Sequence, residues 1–430
     1  MNSARRIGCA VMVLVAAALS PSALAQASRV IVLQHADSLI GRVIDNEDVR
    51  ELIGNVFITQ ENVRIRCDRA LQFIARGTVE LTGNVVVEDD SLTITAPRGF
   101  YHRDARRAEA FERVTLDDGF SHLEADYGEY LVDPKTAYFH SKVVASDSSS
   151  ILNADTVRYD RMRRFMDARG RVVLFNTRDH VTISGGRFEN DAALSYSRMT
   201  DHPVLFQQDT TGEGVDTLIV RSSVMESFRD STRRLVARDS VKILRSDLAG
   251  TAGSVVFYTD ADSILLRTAP VLWYGETQVT GDSINLYLRR RVLERISVMG
   301  NAFAVSRSDS AFPERFDQLT GDWLSMTFAE KKLHRIDVDS RATSVYFLYE
   351  DSAANGVNKT SGDRIVMRFE GGQARAIHVY GGVQGQYFPE LMIDRREGEY
   401  RLPGFLWQED RPVLHSSDIA PERQLRIFPH

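Results

Sequence analysis

Cysteine is nearly absent: the 430 residues contain two, Cys9 and Cys67. Cys9 sits inside an N-terminal apolar run, so Cys67 is alone in the rest of the chain. An intrachain disulfide is thereby excluded there, and with no thiol partner Cys67 reads as a small buried hydrophobe. Long apolar runs are as scarce: only Ile7–Leu19 is of the kind that enters a bilayer, which excludes a helical polytopic membrane protein. Neither sign of charge dominates. Lys+Arg number 53 and Asp+Glu 59, a net −6, so there is no general electrostatic attraction to nucleic acid. Helical periodicity is missing over any useful length. The ten histidines form no HExxH and no pair at ligand spacing, and there is neither G-x-S-x-G nor a Gly-rich phosphate loop. No metal, no cofactor and no enzymatic activity are therefore expected.

The N-terminus does have a pattern. Arg5 and Arg6 precede the apolar run, and Pro21 and the small triplet Ala23-Leu24-Ala25 follow it. That order is a signal peptide over residues 1–25, cut before Gln26 or retained as an anchor; the triplet favours cleavage and export to a periplasm or cell surface. Removing it takes two arginines and no acid, moving the net charge from −6 to −8.

Repetition governs the remainder. A small residue followed by an anchor recurs at Asp37, Asp68, Pro97, Asp126, Asp155, Gly186, Ser254, Asp282, Asp322 and Asp363, with Ser223 a weaker member. The first four spacings are 31, 29, 29 and 29, and the last three are 28, 40 and 41. Between anchors lie segments such as GNVFITQ at 54, GNVVVED at 83, GRVVLFN at 170 and GNAFAVS at 300. Polar turns with basic residues separate the two, among them Arg106-Arg107, Arg163-Arg164, Arg289-Arg290-Arg291 and Lys331-Lys332. These basic pairs read as solvated turn tips or edge protection rather than phosphate ligands. The anchor aspartates, one per unit at a strand entrance, read as turn formers.

Within a unit the apolar period is two, the signature of a half-buried strand. Units of about 30 residues cannot bury such a face alone but can do so stacked, which leaves open strand edges at both ends. The inward candidates are Val56 and Ile58, Val85 and Val87, Val172 and Leu174, Val241 and Ile243, Ile284 and Leu286, Leu324 and Met326. They form either a lipid-binding groove or a closed core, because both have the same chemistry in sequence. Thr59 and Asn285 face the other way.

The anchors, written [AG]-D-x-[ILV]-x-[LMY], and the Gly-Asn-Val strands resemble the OstA-like repeats of the lipopolysaccharide-transport periplasmic proteins. That family includes LptA and the soluble N-terminal domain of LptD. ELIGNVFITQENVRIRCDRALQF and VELTGNVVVEDDSLTITAPRGFYH are the most similar segments. The resemblance implies an all-β, elongated β-jellyroll stack of about ten OstA-like repeats, open along one side. It implies a bridge that shields the acyl chains of lipopolysaccharide between inner and outer membrane. Its implied partners are LptC-like and LptD-like components joined by edge-strand addition, with head-to-tail self-association as a further possibility. A structural or adhesive stack without a lipid ligand is the alternative. The expected division is a first jellyroll segment at 26–187, an irregular junction at 188–222, a second segment at 223–389 and a non-repetitive tail at 390–430. The tail reads as a partner-docking segment or as a disordered tail that packs on the last unit.

Overall fold

A computed structural model describes residues 31–178, 180–209, 216–289, 292–350, 353–371, 373–393 and 395–413. The signal segment 1–25 lies outside the described residues, as does the end of the tail. The described chain is almost entirely strand, and its 28 strands form one continuous hydrogen-bonded sheet. Neighbours pair antiparallel, as in Glu47–Gln60 with Val63–Phe73 and that strand with Thr78–Asp89. Two short 3-10 turns, Glu390–Met392 and Glu397–Tyr400, complete it.

Each full-length strand is broken once near its middle, and that break folds the flat ladder into a jellyroll. Between Ile53 and Val56 the pairing skips two residues while the partner strand skips only Asp68. The skipped pair, Gly54-Asn55, has both φ values positive, at 77° and 47°. Two residues opposed to one make a β-bulge that bends and twists its strand. Eleven such left-handed pairs recur among the described residues, from Gly54-Asn55 to Gly381-Gly382. Their stacking forms a spine, with a half-sheet on either side and the apolar faces of the two turned toward each other.

The anchors serve these corners. The amide N–H groups of Asp37, Asp282 and Asp363 donate to the carbonyls of Gly54, Gly300 and Gly381 at 2.8–3.0 Å. Their side chains act as well: Asn55, Asn84 and Asn301 donate to the carboxylates of Asp37, Asp68 and Asp282 at 2.8–3.0 Å. Glycine is required where the carboxylate lies over the bend. A Cβ on Gly83 would meet the Asp68 Oδ2 at 2.4 Å, in a conformation that other residues enter reluctantly. Two details differ from the sequence reading. The eighth anchor is Gly253, not Ser254, because the Gly253 N–H bonds the Thr268 carbonyl at 2.9 Å. Ser223 occupies a full anchor position, donating to Asp239 at 3.1 Å. Within 188–222 the described residues continue the ladder, with a corner at Asp201-His202.

One apolar cluster runs between the half-sheets from Leu52 to Met367. A second lies on an outer face, where Ile393, Leu402, Phe405 and Trp407 of the tail cover Phe303, Phe316 and Phe347. The chain turns back there and straps the sheet. Buried Gln318 and Gln278 each hold the strap backbone at two points. Gln318 donates to the Tyr400 carbonyl at 3.2 Å and accepts from Leu402 N–H at 2.8 Å. Gln278 donates to Leu406 at 2.7 Å and accepts from Gln408 at 2.8 Å.

Candidate functional site

The twelve inward candidates all lie in the cluster between the half-sheets. Val56, Ile58, Val172, Val241, Ile243, Ile284, Leu286, Leu324 and Met326 are no more than 4% exposed. Val85 and Val87 line a space of about 20 Å³ together with Tyr101, Tyr130 and Phe139. That volume is about one water molecule. Leu174 is different. It lines a cavity of about 570 Å³ in the middle of the chain, with Leu152, Ile183, Leu205 and Leu218 from one half-sheet and Phe188, Met199, Met225, Leu235 and Phe257 from the other. Small-molecule and lipid pockets commonly fall between about 300 and 1,000 Å³.

The contrast between a tight interior and a roomy one follows from a row of side chains near the seam, where the free edges of the half-sheets meet. Strand register aligns Tyr101, Ala108, Tyr130, Ala137 and Tyr159. Each tyrosine hydroxyl crosses the seam. Tyr101 donates to Gln60, Tyr130 to Asp89 at 2.7 Å and Tyr159 to Asp118 at 3.1 Å. In each pair the partners are 41 residues apart, and successive pairs are 29 apart. Burial pushes the phenols of Tyr101 and Tyr159 up to about 12 and that of Tyr130 higher, so all three stay protonated donors. Charged pairs reinforce the same seam: Arg106 with Glu61 and Lys135 with Asp90, both at 2.9 Å, and Arg161 with the Asp89 carbonyl at 3.1 Å. Arg106 of the basic turns thus serves as a bridge across the seam.

The row then changes. After Tyr159 it continues through Met166, Asn190, Ser197 and Ser227 before becoming apolar again at Leu235 and Phe257. The next acid across the seam, Asp147, repeats the turn contact of Asp118 by accepting from Ser149 N–H at 2.7 Å. Among the described residues no tyrosine hydroxyl bonds it. Asn190 instead accepts from Arg229 at 2.8 Å. Three small side chains in place of large ones leave the space that forms the cavity. Farther on, the Tyr274 hydroxyl donates to the Lys331 carbonyl at 3.1 Å and bridges the seam again.

Among the described residues no three His, Cys, Asp or Glu side chains converge as a metal cage would require. Cys67 is buried and its thiol is pushed up to about 11, chiefly by that burial, so it is not a ready nucleophile. The site is a solvent-connected apolar space between facing sheets. Sequence reasoning missed the cavity lining apart from Leu174. The available signal was the tyrosine series at 101, 130 and 159 and its failure to continue.

Among the described residues, no helix is long and apolar enough to cross a membrane. No curated protein matches the chain. A solved structure, the periplasmic component LptH of the lipopolysaccharide transport device of Pseudomonas aeruginosa, described as LptA homologous, is similar at 15% identity and a TM-score of 0.25. That similarity covers 33% of this chain and 95% of the other. The family model described as OstA-like protein matches residues 28–182, just over a third of the chain. That stretch of stacked bulges and latched tyrosines is thus similar to OstA-like proteins, the family its repeats resemble.

Proposed function

We propose that the protein is a periplasmic lipid carrier, a bridge component that shields lipopolysaccharide acyl chains on their way from inner to outer membrane. The observation that carries this reading is the cavity of about 570 Å³ between two apolar sheet faces, in a chain whose first part is OstA-like. Exposing a twelve-carbon chain to water costs roughly 9 kcal/mol, so an acyl tail crossing an aqueous space needs such cover. In this reading Leu174 contacts the tail directly. The other eleven candidates, Val56 to Met326, build the apolar trunk that continues from the cavity in both directions. The division of the chain near 188–222 then coincides with the cavity rather than with a linker.

The ends support partner docking. Strands Val32–His35 and Ser38–Ile44 expose Leu39 and Val43, and strands Gln373–Tyr380 and Gln384–Pro389 expose Ile377, Tyr380 and Tyr387. Such edges accept another strand, from LptC-like and LptD-like components or from a second copy of this chain. Export by residues 1–25 belongs to the same proposal.

The dry packing around Ile284, Leu286, Leu324 and Met326 favours a second reading, a structural stack that holds no lipid. Native mass spectrometry of the protein purified gently from the exporting cell separates the two. A bound lipid mass is expected; a protein found only at its bare chain mass would favour the structural stack.

A further inference from the structure

We propose that the cavity is loaded and emptied sideways, through a port in the seam between Asp147 and Asn190, and that its occupant is a single hydrocarbon tail carrying a hydrogen-bond-accepting head. This rests on the lipid-carrier reading and specifies its route.

Three observations place the port. The seam is bridged on one side of it by Tyr101, Tyr130 and Tyr159, and on the other by Tyr274. Between these bridges the tyrosine row gives way to Asn190 and Ser227, and among the described residues no hydrogen bond joins Asp147 to the far side of the gap. The interior behind the bridged stretch holds only about 20 Å³, whereas that behind the gap holds about 570 Å³. A tail that entered at the N-terminal end of the stack would have to displace close-packed side chains throughout the bridged units. A tail entering at the gap displaces none of the close-packed side chains among the described residues.

The rim sets the chemistry of the head. Arg229 is exposed, and among the described residues its guanidinium is held by the neutral Asn190 oxygen at 2.8 Å rather than by a carboxylate. It is therefore a positioned donor at the mouth. Arg198 also lines the cavity; of the remaining charges there, Arg234 pairs with Asp230, Arg233 with Asp260 and Glu226 with Arg238, while Asp262 and Asp147 are acidic. A positioned strong donor in a mixed rim suits a carboxylate or phosphate head left in water while the tail is buried.

The test titrates a dansyl-labelled undecanoic acid and its methyl ester into the full chain and into Asn190→Tyr and Arg229→Gln. Tyrosine at 190 extends the latch series to Asp147 and fills the gap, so both probes should bind at least roughly tenfold more weakly. Arg229→Gln, an exposed change that leaves the fold alone, should weaken the acid by roughly tenfold and the ester far less. Tyr159→Phe, which unlatches the neighbouring pair, should speed entry of both. Wild-type binding with both substitutions silent would overturn the port and leave the carrier reading standing. Failure of the wild type to bind either probe would overturn both.

Discussion

Arg315→Ala should destabilise the C-terminal units by about 3–5 kcal/mol and release the strap. The Arg315 side chain is 2% exposed and pairs with Glu390 at 2.5 Å and Glu397 at 3.5 Å, both on the returning chain. Its guanidinium also lies 4.1 Å over the Phe312 ring. Truncation leaves two partly buried carboxylates without their cation and opens the layer that shields Phe303, Phe316 and Phe347. Stack stability is a sum of unit and interface terms, so the loss should stay local. Denaturant unfolding followed by Trp407 fluorescence, in a chain with Trp273 and Trp323 replaced by Phe, should show an early transition. The Tyr130–Asp89 region should keep its hydrogen-exchange protection. Arg315→Met, which refills the volume without the charge, should lose less.

Leu286→Ala and Leu174→Ala should differ sharply although both remove the same atoms from the same apolar interior. Leu286 is 1% exposed and close-packed, so its truncation leaves a void and should cost about 2–5 kcal/mol. Leu174 already borders an open space of about 570 Å³. Its truncation adds to a cavity that water or a ligand can enter, and should cost under about 1.5 kcal/mol. Enlargement should reverse the order: tryptophan at 174 is tolerated and displaces ligand, while tryptophan at 286 overpacks. Equal costs in chemical denaturation would mean that the cavity closes in solution.

The difference between these two leucines marks how far the sequence was legible. Alternation identified both as inward, and it did so for all twelve candidates, because a period of two reports which face a side chain takes. Whether that face meets a close neighbour depends on what stands opposite, in strands distant along the chain, as Leu235 and Phe257 are from Leu174. The cavity exists because Asn190, Ser197 and Ser227 are small in one register row, and that row appears only once the pairing is known. Corners with glycine, such as Gly54-Asn55 and Gly83-Asn84, were readable. Glu112-Arg113 and Thr268-Ala269 adopt the same left-handed pair without any glycine to signal it. Neither Gly253 nor Ser254 carries the carboxylate that marks the aspartate anchors, so only the Gly253–Thr268 bond fixes the register there. The attachment points of the strap were hidden for a related reason. Gln278 and Gln318 look like ordinary polar residues of a strand, and only the returning backbone gives them their role.

The most direct test of a lipid-holding interior is in-cell photocrosslinking from two positions. A photoreactive residue at Leu174, facing the cavity, should capture lipid on irradiation, and one at Lys242, exposed on the outer face, should capture none. Equal capture at both positions, or capture at neither, would contradict the account.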